Sequence, residues 1–369
     1  MEKGYLMTDF NLLLAILKGE LTDEKADLEI TPESAEGVLR LAKKHDLTYV
    51  VAHYLNNSFQ KTEKTEQAEV LQFYRMEQQK FTLSQVKEIF NEEKIPFIPL
   101  KGSVIRDYYP NPLSRSSCDI DILIKPEDLK SAEKRFSNLG YKKDIENFHD
   151  VSFSTPNNVN VELHFSLLEQ EEGIDKILQN PWDYAVLKEK EEYKFTDEFF
   201  VFYFYAHAFH HFLTGGCGIK TLMDLYVLEN NMGLKTEIAE SLLKEAEIYK
   251  FAVYLRDLSD CWFKTQEKTE TTEMLELYIL KGGVYGNNEN FVKVYNSRMK
   301  NSRKHLISVL FPPAEKIKNR YKAKGILTYF YYPVYWLDGF KRHKLKPTQK
   351  TDNYTVDNLL NDLGIIKKP

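Results

Sequence analysis

Residues 100–129 read LKGSVIRDYYPNPLSRSSCDIDILIKPEDL, and this stretch decides the fold. An apolar run, IPFIPL at 95–100, ends at Lys-Gly-Ser (101–103) and is followed by the helix-like VIRDYY. This order predicts a strand, a tight turn and a helix. The segment CDIDILI at 118–124 alternates polar and apolar residues with the two-residue period of a second strand.

Two aspartates lie two residues apart in this second strand. In an extended strand, alternate residues project to the same face, so Asp119 and Asp121 present adjacent carboxylates while Ile120 and Ile122 face the other way. Two like charges so close repel each other unless protonation, a Lys or Arg side chain or a metal cation offsets the repulsion. Because hard divalent cations prefer oxygen ligands, the pair predicts a site for Mg²⁺ or Mn²⁺.

A later hairpin supplies a third acid. The segment 150–167, DVSFSTPNNVNVELHFSL, contains two β-rich runs joined by Pro-Asn-Asn, which is typical of a turn. Glu162 and His164 share one face of the second run, so Glu162 is expected to join the aspartates if its strand is their neighbour. Three such carboxylates can hold two metal ions. His164 lies either beside these ligands or packed as an ordinary histidine.

The turn before the aspartates can bind phosphate. Gly102 and Ser103 lie between a strand and a helix, where backbone N–H groups and a hydroxyl can donate hydrogen bonds to a phosphate group. Lys101 is a further phosphate contact or a partner of the acids. Arg115 binds a phosphate oxygen, orients the acids or forms a structural ion pair. A phosphate turn, an Asp-x-Asp pair and a later acid together form the layout of nucleotidyl transfer.

A second cluster lies in a helical part, VFYFYAHAFHHFLTGGCGIKTLMDLYVLE at 201–229. His207 and His211 are four residues apart, as are Lys220 and Asp224, so each pair shares a helix face. Lys220 could bind a nucleotide phosphate, and the other three could lie beside the metal ligands or near the acceptor. The alternative is packed histidines and a Lys-Asp pair on one helix.

Taken together, three stretches resemble a known family: residues 100–129, the Gly-Tyr at 140–141 and VELHFSL at 161–167. They are similar to the largely uncharacterised nucleotidyltransferase family within the DNA polymerase β-like superfamily. The resemblance covers roughly residues 35–300, and the cluster at 201–229 also matches the family.

This resemblance implies roles for five residues. Gly102 and Ser103 match the superfamily's Gly-Ser turn, Asp119 and Asp121 its paired metal ligands, and Glu162 its third acid. The gap between the turn and the acids is longer here than in compact members, and the third acid is Glu rather than the commoner Asp. Both departures leave the acceptor open.

The whole chain predicts an α+β protein. Residues 1–94 read as an N-terminal helical region, in which 62–94 lack Gly and Pro and predict one long helix. Residues 95–182 form a small mixed-sheet nucleotidyltransferase core. Residues 183–350 are expected to be a C-terminal helical domain, and 351–369 a tail.

Composition restricts the class of protein. Hydrophobic residues make up 43% and aromatic residues 13% of the 369 residues, which is typical of a globular protein. The three cysteines contain no CxxC pair, so neither a disulfide framework nor a zinc ribbon is indicated. We expect no signal peptide, no transmembrane segment and a cytoplasmic location.

Charge is distributed unevenly. The net charge is −5, yet residues 298–350 contain 14 Lys and Arg against two acids. This region includes the aromatic segment GILTYFYYPVYWLDGFKRHKLK at 325–346. It could face nucleic acid, an anionic membrane or a polyanionic substrate. Aromatic residues at helical spacings favour a packed helical segment instead, and we expect no binding of duplex nucleic acid.

The expected activity is a Mg²⁺-dependent transfer of a nucleoside monophosphate from a nucleoside triphosphate to an acceptor, with release of pyrophosphate. Two other classes stay open. One is a catalytically inactive module that binds nucleotide or a partner. The other is a metal-dependent phosphohydrolase using His207, His211 and Asp224, although no Glu follows His207 as it would in HExxH. The acceptor could be a small molecule, a sugar or a protein hydroxyl.

Overall fold

The chain is described by a computed structural model. The residues that it describes are 2–22, 24, 28–284, 286–300, 317, 331–334 and 350–366.

Four helices precede the sheet: α1 (Glu2–Leu21), α2 (Pro32–Lys44), α3 (Thr48–Ser58) and α4 (Glu63–Glu93). The start of α4 is fixed by a capping box, in which the Thr62 hydroxyl accepts from the Thr65 backbone N–H and the Thr65 hydroxyl accepts from that of Thr62. The helix ends where Lys94 adopts a left-handed conformation with φ of 58°. One long helix over residues 62–94 is therefore confirmed.

The described residues form a seven-stranded mixed sheet in the order β3-β4-β5-β2-β1-β7-β6. The strands are β1 (Phe97–Pro99), β2 (Asp119–Ile124), β3 (Lys142–Glu146), β4 (Asp150–Ser154), β5 (Asn160–His164), β6 (Ala185–Glu189) and β7 (Glu192–Phe195). Between them lie α5 (Lys101–Ile105), α6 (Leu129–Asn138) and α7 (Glu172–Leu178).

Helices again follow the sheet. They are α8 (Asp197–Leu213), α9 (Gly218–Asn230), α10 (Glu240–Glu245), α11 (Tyr249–Phe263), α12 (Glu270–Gly282), α13 (Asn288–Lys300) and α14 (Lys350–Asp362). The α+β class with a mixed sheet and flanking helices is confirmed.

One face of the sheet is apolar. Ile120, Ile122 and Ile124 on β2 pack in one buried cluster with Phe90 of α4 and Phe136 of α6. Full burial of such a side chain contributes about 1.5–3 kcal/mol. This face anchors β2, so the aspartates that alternate with the isoleucines must face the other way.

The opposite face of the sheet looks toward the C-terminal helices. Asp119 and Asp121 line a cavity together with Phe204 of α8 and with Lys220 and Thr221 of α9. Helices α8 and α9 therefore cover the acids on this face of the sheet.

The hairpin β6–β7 was missed in the sequence analysis, where helices were expected to dominate from residue 183. β7 pairs in parallel with β1 through Phe97 and Glu192, so the sheet continues to residue 195. Its sequence is rich in charge, and Glu192 is buried only because Lys87 and Lys188 bind its carboxylate at 2.8 Å and 2.9 Å. The pairing of β7 with β1 joins residues far apart in the sequence, which local periodicity does not reveal.

The two helical regions share one apolar core, which includes Phe10 of α1 and Trp262 of α11 with ring centroids 5.3 Å apart. The division into regions at 94 and 182 stays a prediction. Within the described part of the chain, no helix is both long and apolar enough to cross a membrane. The expectation that 325–346 pack as a helical segment concerns positions that, except for 331–334, lie outside the described residues.

Candidate active site

The acids meet because β2 and β5 are adjacent and parallel. Asp121 is paired directly with Glu162, and Asp119 with Asn160. Residues paired in register on neighbouring strands project to the same face. The expectation that the strand of Glu162 lies next to that of the aspartates is confirmed.

A histidine lies beside these acids on the same face of the sheet. His164 Nε2 lies 3.0 Å from Asp121 Oδ1 and 3.9 Å from Glu162 Oε2. One ligand atom from each of these three residues lies within 4.8 Å of the other two, a spacing that could hold a metal ion. Asp119 is outside this trio, and its Oδ1 accepts a hydrogen bond from the Ser117 hydroxyl at 3.1 Å.

Burial and mutual repulsion raise the pKa values of two of these three acids. Burial and the charge of Asp121 raise the pKa of Asp119. Burial and both aspartates raise the pKa of Glu162 to about 7. Burial would also raise the pKa of Asp121, but the hydrogen bond from His164 and the charges of His164 and Lys101 hold it well below its usual range. A divalent cation fits this group because it would stabilise all three carboxylates in their ionised form.

Lys101, on the strand-to-helix turn, lines both cavities beside the acids. Its ammonium lies 4.9 Å from the centre of the Tyr203 ring. Burial lowers its pKa to about 8, while Asp121 and Glu169 oppose that shift. Lys101 therefore remains mainly protonated near neutral pH.

The turn itself is the first turn of α5. The Ser103 backbone N–H donates to the Leu100 carbonyl at 3.1 Å, so this N–H already has a partner. A Cβ added at Gly102 would lie 3.1 Å from Arg115 Nη1. Glycine here thus allows Arg115 to approach the turn closely.

Arg115 forms a buried ion pair with Asp224. Its Nε and Nη2 donate to the two carboxylate oxygens at 3.1 Å and 2.9 Å, and the Tyr109 hydroxyl donates to Oδ1 at 2.6 Å. Arg115 Nη1 donates to the Ser116 carbonyl at 3.0 Å. Of the roles considered for Arg115, the structural ion pair is the one found. It ties the loop before β2 to α9.

Lys220 lies one helical turn before Asp224 and faces a different partner. Its ammonium is 3.1 Å from Asp46 Oδ2 and 3.0 Å from the Ser116 carbonyl. The Ser116 hydroxyl donates to Asp46 at 2.7 Å. Lys220 and Asp46 both line the cavity beside the aspartates.

The α8 histidines are linked by an acid from the loop after β5. Glu169 lies 3.0 Å from His207 Nδ1 and 3.2 Å from His210 Nδ1. His207 Nε2 and His211 Nε2 are 2.7 Å apart. Burial and Lys101 lower the pKa of His207 to about 4, and His207 together with burial lowers that of His211 to about 2. Both rings are therefore neutral near pH 7.

Two cavities meet at the aspartates. One, of about 240 Å³, contains the turn and Lys220. The other, of about 430 Å³, contains Glu162, Glu169 and His164. Side chains lining both are those of Lys101, Asp119, Asp121, His207 and His211. The arrangement offers space for one reactant on each side of the acid pair.

The chain belongs to the family described as "Uncharacterised nucleotidyltransferase", whose sequence profile matches residues 31–264, more than half of its length. The family supports nucleotidyl transfer as the general chemistry and a nucleoside triphosphate as substrate.

Two solved structures are similar at low level. The antibiotic-resistance factor ANT(2'')-Ia is 13% identical over 48% of this chain and 95% of its own, with a TM-score of 0.36. The Thermotoga maritima CCA-adding enzyme complexed with tRNA is 11% identical over 82% of this chain and 93% of its own, with a TM-score of 0.20. Similarity at this level carries no inference about the acceptor. A search of curated proteins gave no match.

Several residues around the site were missed from the sequence: Asp46, His149, Asp150, Glu169 and Tyr203. The His-Asp dipeptides at 45–46 and 149–150 are a signal that could have drawn attention to three of them. Glu169 lies in a short run of acids without a pattern, and Tyr203 in an aromatic helix, so neither stands out.

Proposed function

We propose that this protein is a Mg²⁺- or Mn²⁺-dependent nucleotidyltransferase that moves a nucleoside monophosphate from a nucleoside triphosphate to an acceptor hydroxyl, with release of pyrophosphate. Asp119, Asp121 and Glu162 would hold the metal. The observation that carries the proposal is the in-register pairing of Asp121 with Glu162 on the sheet face that also bears Asp119, where burial and the two aspartates raise the pKa of Glu162.

The metal, when bound, would neutralise phosphate charge and favour the ionised form of an attacking hydroxyl. The protein's own groups would supply binding and orientation. Lys220, Lys101 and Gly102 line the first cavity, so they would bind the triphosphate, whereas Ser103 follows in the turn without lining that cavity. Arg115 would act indirectly, by fixing the loop that precedes β2.

The second cavity would receive the acceptor. His164 holds Asp121 by a hydrogen bond of 3.0 Å and thereby orients one of the acids. The neutral His207 and His211 border both cavities and would contact the acceptor or the transferred group. Holding two reactants in a reactive orientation accounts for a large share of the rate in such a site.

The phosphohydrolase alternative is disfavoured by the positions of its ligands. Asp224 uses its carboxylate oxygens to bind Arg115 and Tyr109, whereas His207 is bound by Glu169. Asp224 would therefore have to break buried contacts before it could share a metal with His207 and His211. An inactive binding module would be expected to lose some of the acids, and all three are present.

The proposal predicts joint stabilisation by metal and nucleotide. A triphosphate with Mg²⁺ should raise the melting temperature more than either does alone, because the metal screens the phosphates and the phosphates complete the metal's coordination. A ligand at 100 times its Kd stabilises the folded state by about 2.7 kcal/mol. Asp121→Asn should abolish the joint effect. Asp107→Asn, an exposed acid outside the site, should retain it. Equal stabilisation by triphosphate without metal would contradict the proposed site.

The acceptor can be identified by product analysis. The protein is incubated with each α-³²P-labelled triphosphate, Mg²⁺ and cell extract, and labelled products are identified by mass spectrometry. We expect a labelled product with wild type and none with Asp121→Asn. Nucleotide binding without any transferred label would favour the inactive module.

A further inference from the structure

A second group of metal-binding side chains borders the larger cavity. We propose that His149, Asp150 and His164 form a separate site for a transition metal ion of the Zn²⁺ or Co²⁺ type. Its other two ligands are distinct from the carboxylates of β2 and β5 proposed to hold the nucleotide's metal, and His164 lies between the two groups.

Strand pairing brings the three residues together. Asp150 opens β4 and is paired with His164 at the end of β5, so the two side chains share a face. His149 directly precedes the strand, and its Nε2 lies 2.6 Å from Asp150 Oδ2. The rings of His149 and His164 are stacked with centroids 6.0 Å apart and an interplanar angle of 21°.

The spacing suits a metal after small side-chain rotations. One ligand atom from each residue lies within 4.8 Å of the other two. Bonds of about 2.0–2.2 Å around a tetrahedral ion place ligand atoms roughly 3.3–3.6 Å apart. The His149–Asp150 contact must therefore open slightly, while the longer separations close.

The donor types select the ion. Two imidazoles and one carboxylate suit Zn²⁺, Co²⁺ or Fe²⁺, whereas Mg²⁺ prefers oxygen ligands alone. Asp150 is oriented for this task by Asn147, whose side-chain amide donates to Oδ1 at 2.9 Å and leaves Oδ2 toward His149. Such a hydrogen bond to a ligating carboxylate is a common support of metal sites.

The group also has access to the cavity. His149, Asp150 and His164 all line the space of about 430 Å³ that also contains Glu162. With three protein ligands, a metal here would keep a coordination position for water or for an oxygen of a bound molecule. His164 Nε2 also lies 3.0 Å from Asp121 Oδ1, so this histidine stands between the two groups of ligands.

Cobalt binding tests the proposal without nucleotide. The metal-free full-length chain is titrated with Co²⁺, and visible absorption reports on coordination by nitrogen ligands. We expect one equivalent to give an absorbance band that excess Zn²⁺ removes and a large excess of Mg²⁺ does not. His149→Gln should weaken Co²⁺ binding at least tenfold. Glu162→Gln should leave the band, since that carboxylate belongs to the other trio.

Matched variants on the same cavity locate the ion. His210→Gln and His211→Gln remove imidazoles outside the proposed group and should retain the band. Because Asp150 is buried, His149→Gln is the primary variant, and its circular dichroism and melting temperature must match wild type. Absence of a band in wild type, or its loss in His211→Gln or Glu162→Gln but not in His149→Gln, would overturn the proposal.

Discussion

Asp224 and Glu162 line the two cavities that meet at Asp119 and Asp121, and they differ in the charged groups around them. The Asp224 side chain is 8% exposed and is bound by the guanidinium of Arg115 and the hydroxyl of Tyr109. Burial and the charges of Asp121 and Asp119 raise the pKa of Glu162 to about 7, against the opposing effect of His164, which lies 3.9 Å away. A buried charge with full partners serves structure, whereas a surplus of like charge marks a place for a ligand.

The largest effect is expected from breaking the ion pair of Asp224. Arg115→Met should lower the free energy of unfolding by about 3–5 kcal/mol, because it leaves a buried carboxylate without its cation. Urea unfolding followed by circular dichroism measures the loss. The double variant Arg115→Met/Asp224→Leu should recover most of it, since no charge is then stranded. A single variant as stable as wild type would contradict the structural role of the pair.

His45 isolates the effect of burial on a titrating group. It is fully buried, and burial together with the charge of Lys44 lowers its pKa to about 4. Between the unfolded pKa of about 6.5 and that value, the unfolded chain binds a proton that the folded chain does not, so stability falls as pH falls. At about pH 4 the resulting loss in the free energy of unfolding amounts to about 3 kcal/mol.

The measurement for His45 is the melting temperature across this pH range. His45→Leu keeps the volume and removes the titration, so its melting temperature should depend less on pH between 6.5 and 4 than that of wild type. A parallel fall in both proteins would assign the acid sensitivity to other groups.

Lys220 tests whether the cavity side of α9 serves binding rather than stability. A charge-assisted hydrogen bond contributes about 1.5–3 kcal/mol, so Lys220→Gln should weaken triphosphate binding roughly 10- to 100-fold. Isothermal titration calorimetry with Mg²⁺ present gives the Kd. Lys235→Gln, an exposed lysine beyond α9, is the matched control and should bind as wild type does. A large loss of folding stability in Lys220→Gln would place this lysine with Arg115 as a structural group.

The smallest effect on stability is expected from a change at Asp119, one of the paired aspartates, when metal is absent. Asp119→Asn removes one of two adjacent negative charges, so the apo protein should be as stable as wild type or more stable by up to about 1 kcal/mol. Thermal unfolding in the presence of a chelator measures this. A marked loss would show that Asp119 holds the fold together.

The acids were predictable because their placement is local. The alternation of Asp119 and Asp121 with isoleucines is set by strand geometry within seven residues. Lys220 and Asp224 were also placed correctly on one helix, but their partners were not predictable. Asp224 meets Arg115 across 109 positions, and Lys220 meets Asp46 across 174. Partners this far apart in sequence cannot be predicted from local periodicity.

Secondary structure shows the same division. The long helix α4 has strong local signals, namely good helix formers and a Thr-based cap. The hairpin β6–β7 has weaker signals, since its strands are short and partly charged, and its place at the edge of the sheet depends on β1 and on the lysines that bind Glu192. Propensity fails where tertiary contacts supply most of the stabilisation.

By itself the sequence determined the class of the core, the strand that carries the paired aspartates and the presence of a third acid on a later hairpin, because side-chain alternation and turn chemistry act over a few residues. The tertiary structure decided which strand lies beside β2, how α8 and α9 close over the acids, and which charges are neutralised. Those outcomes depend on pairing register and on burial, which are properties of chain segments distant in sequence.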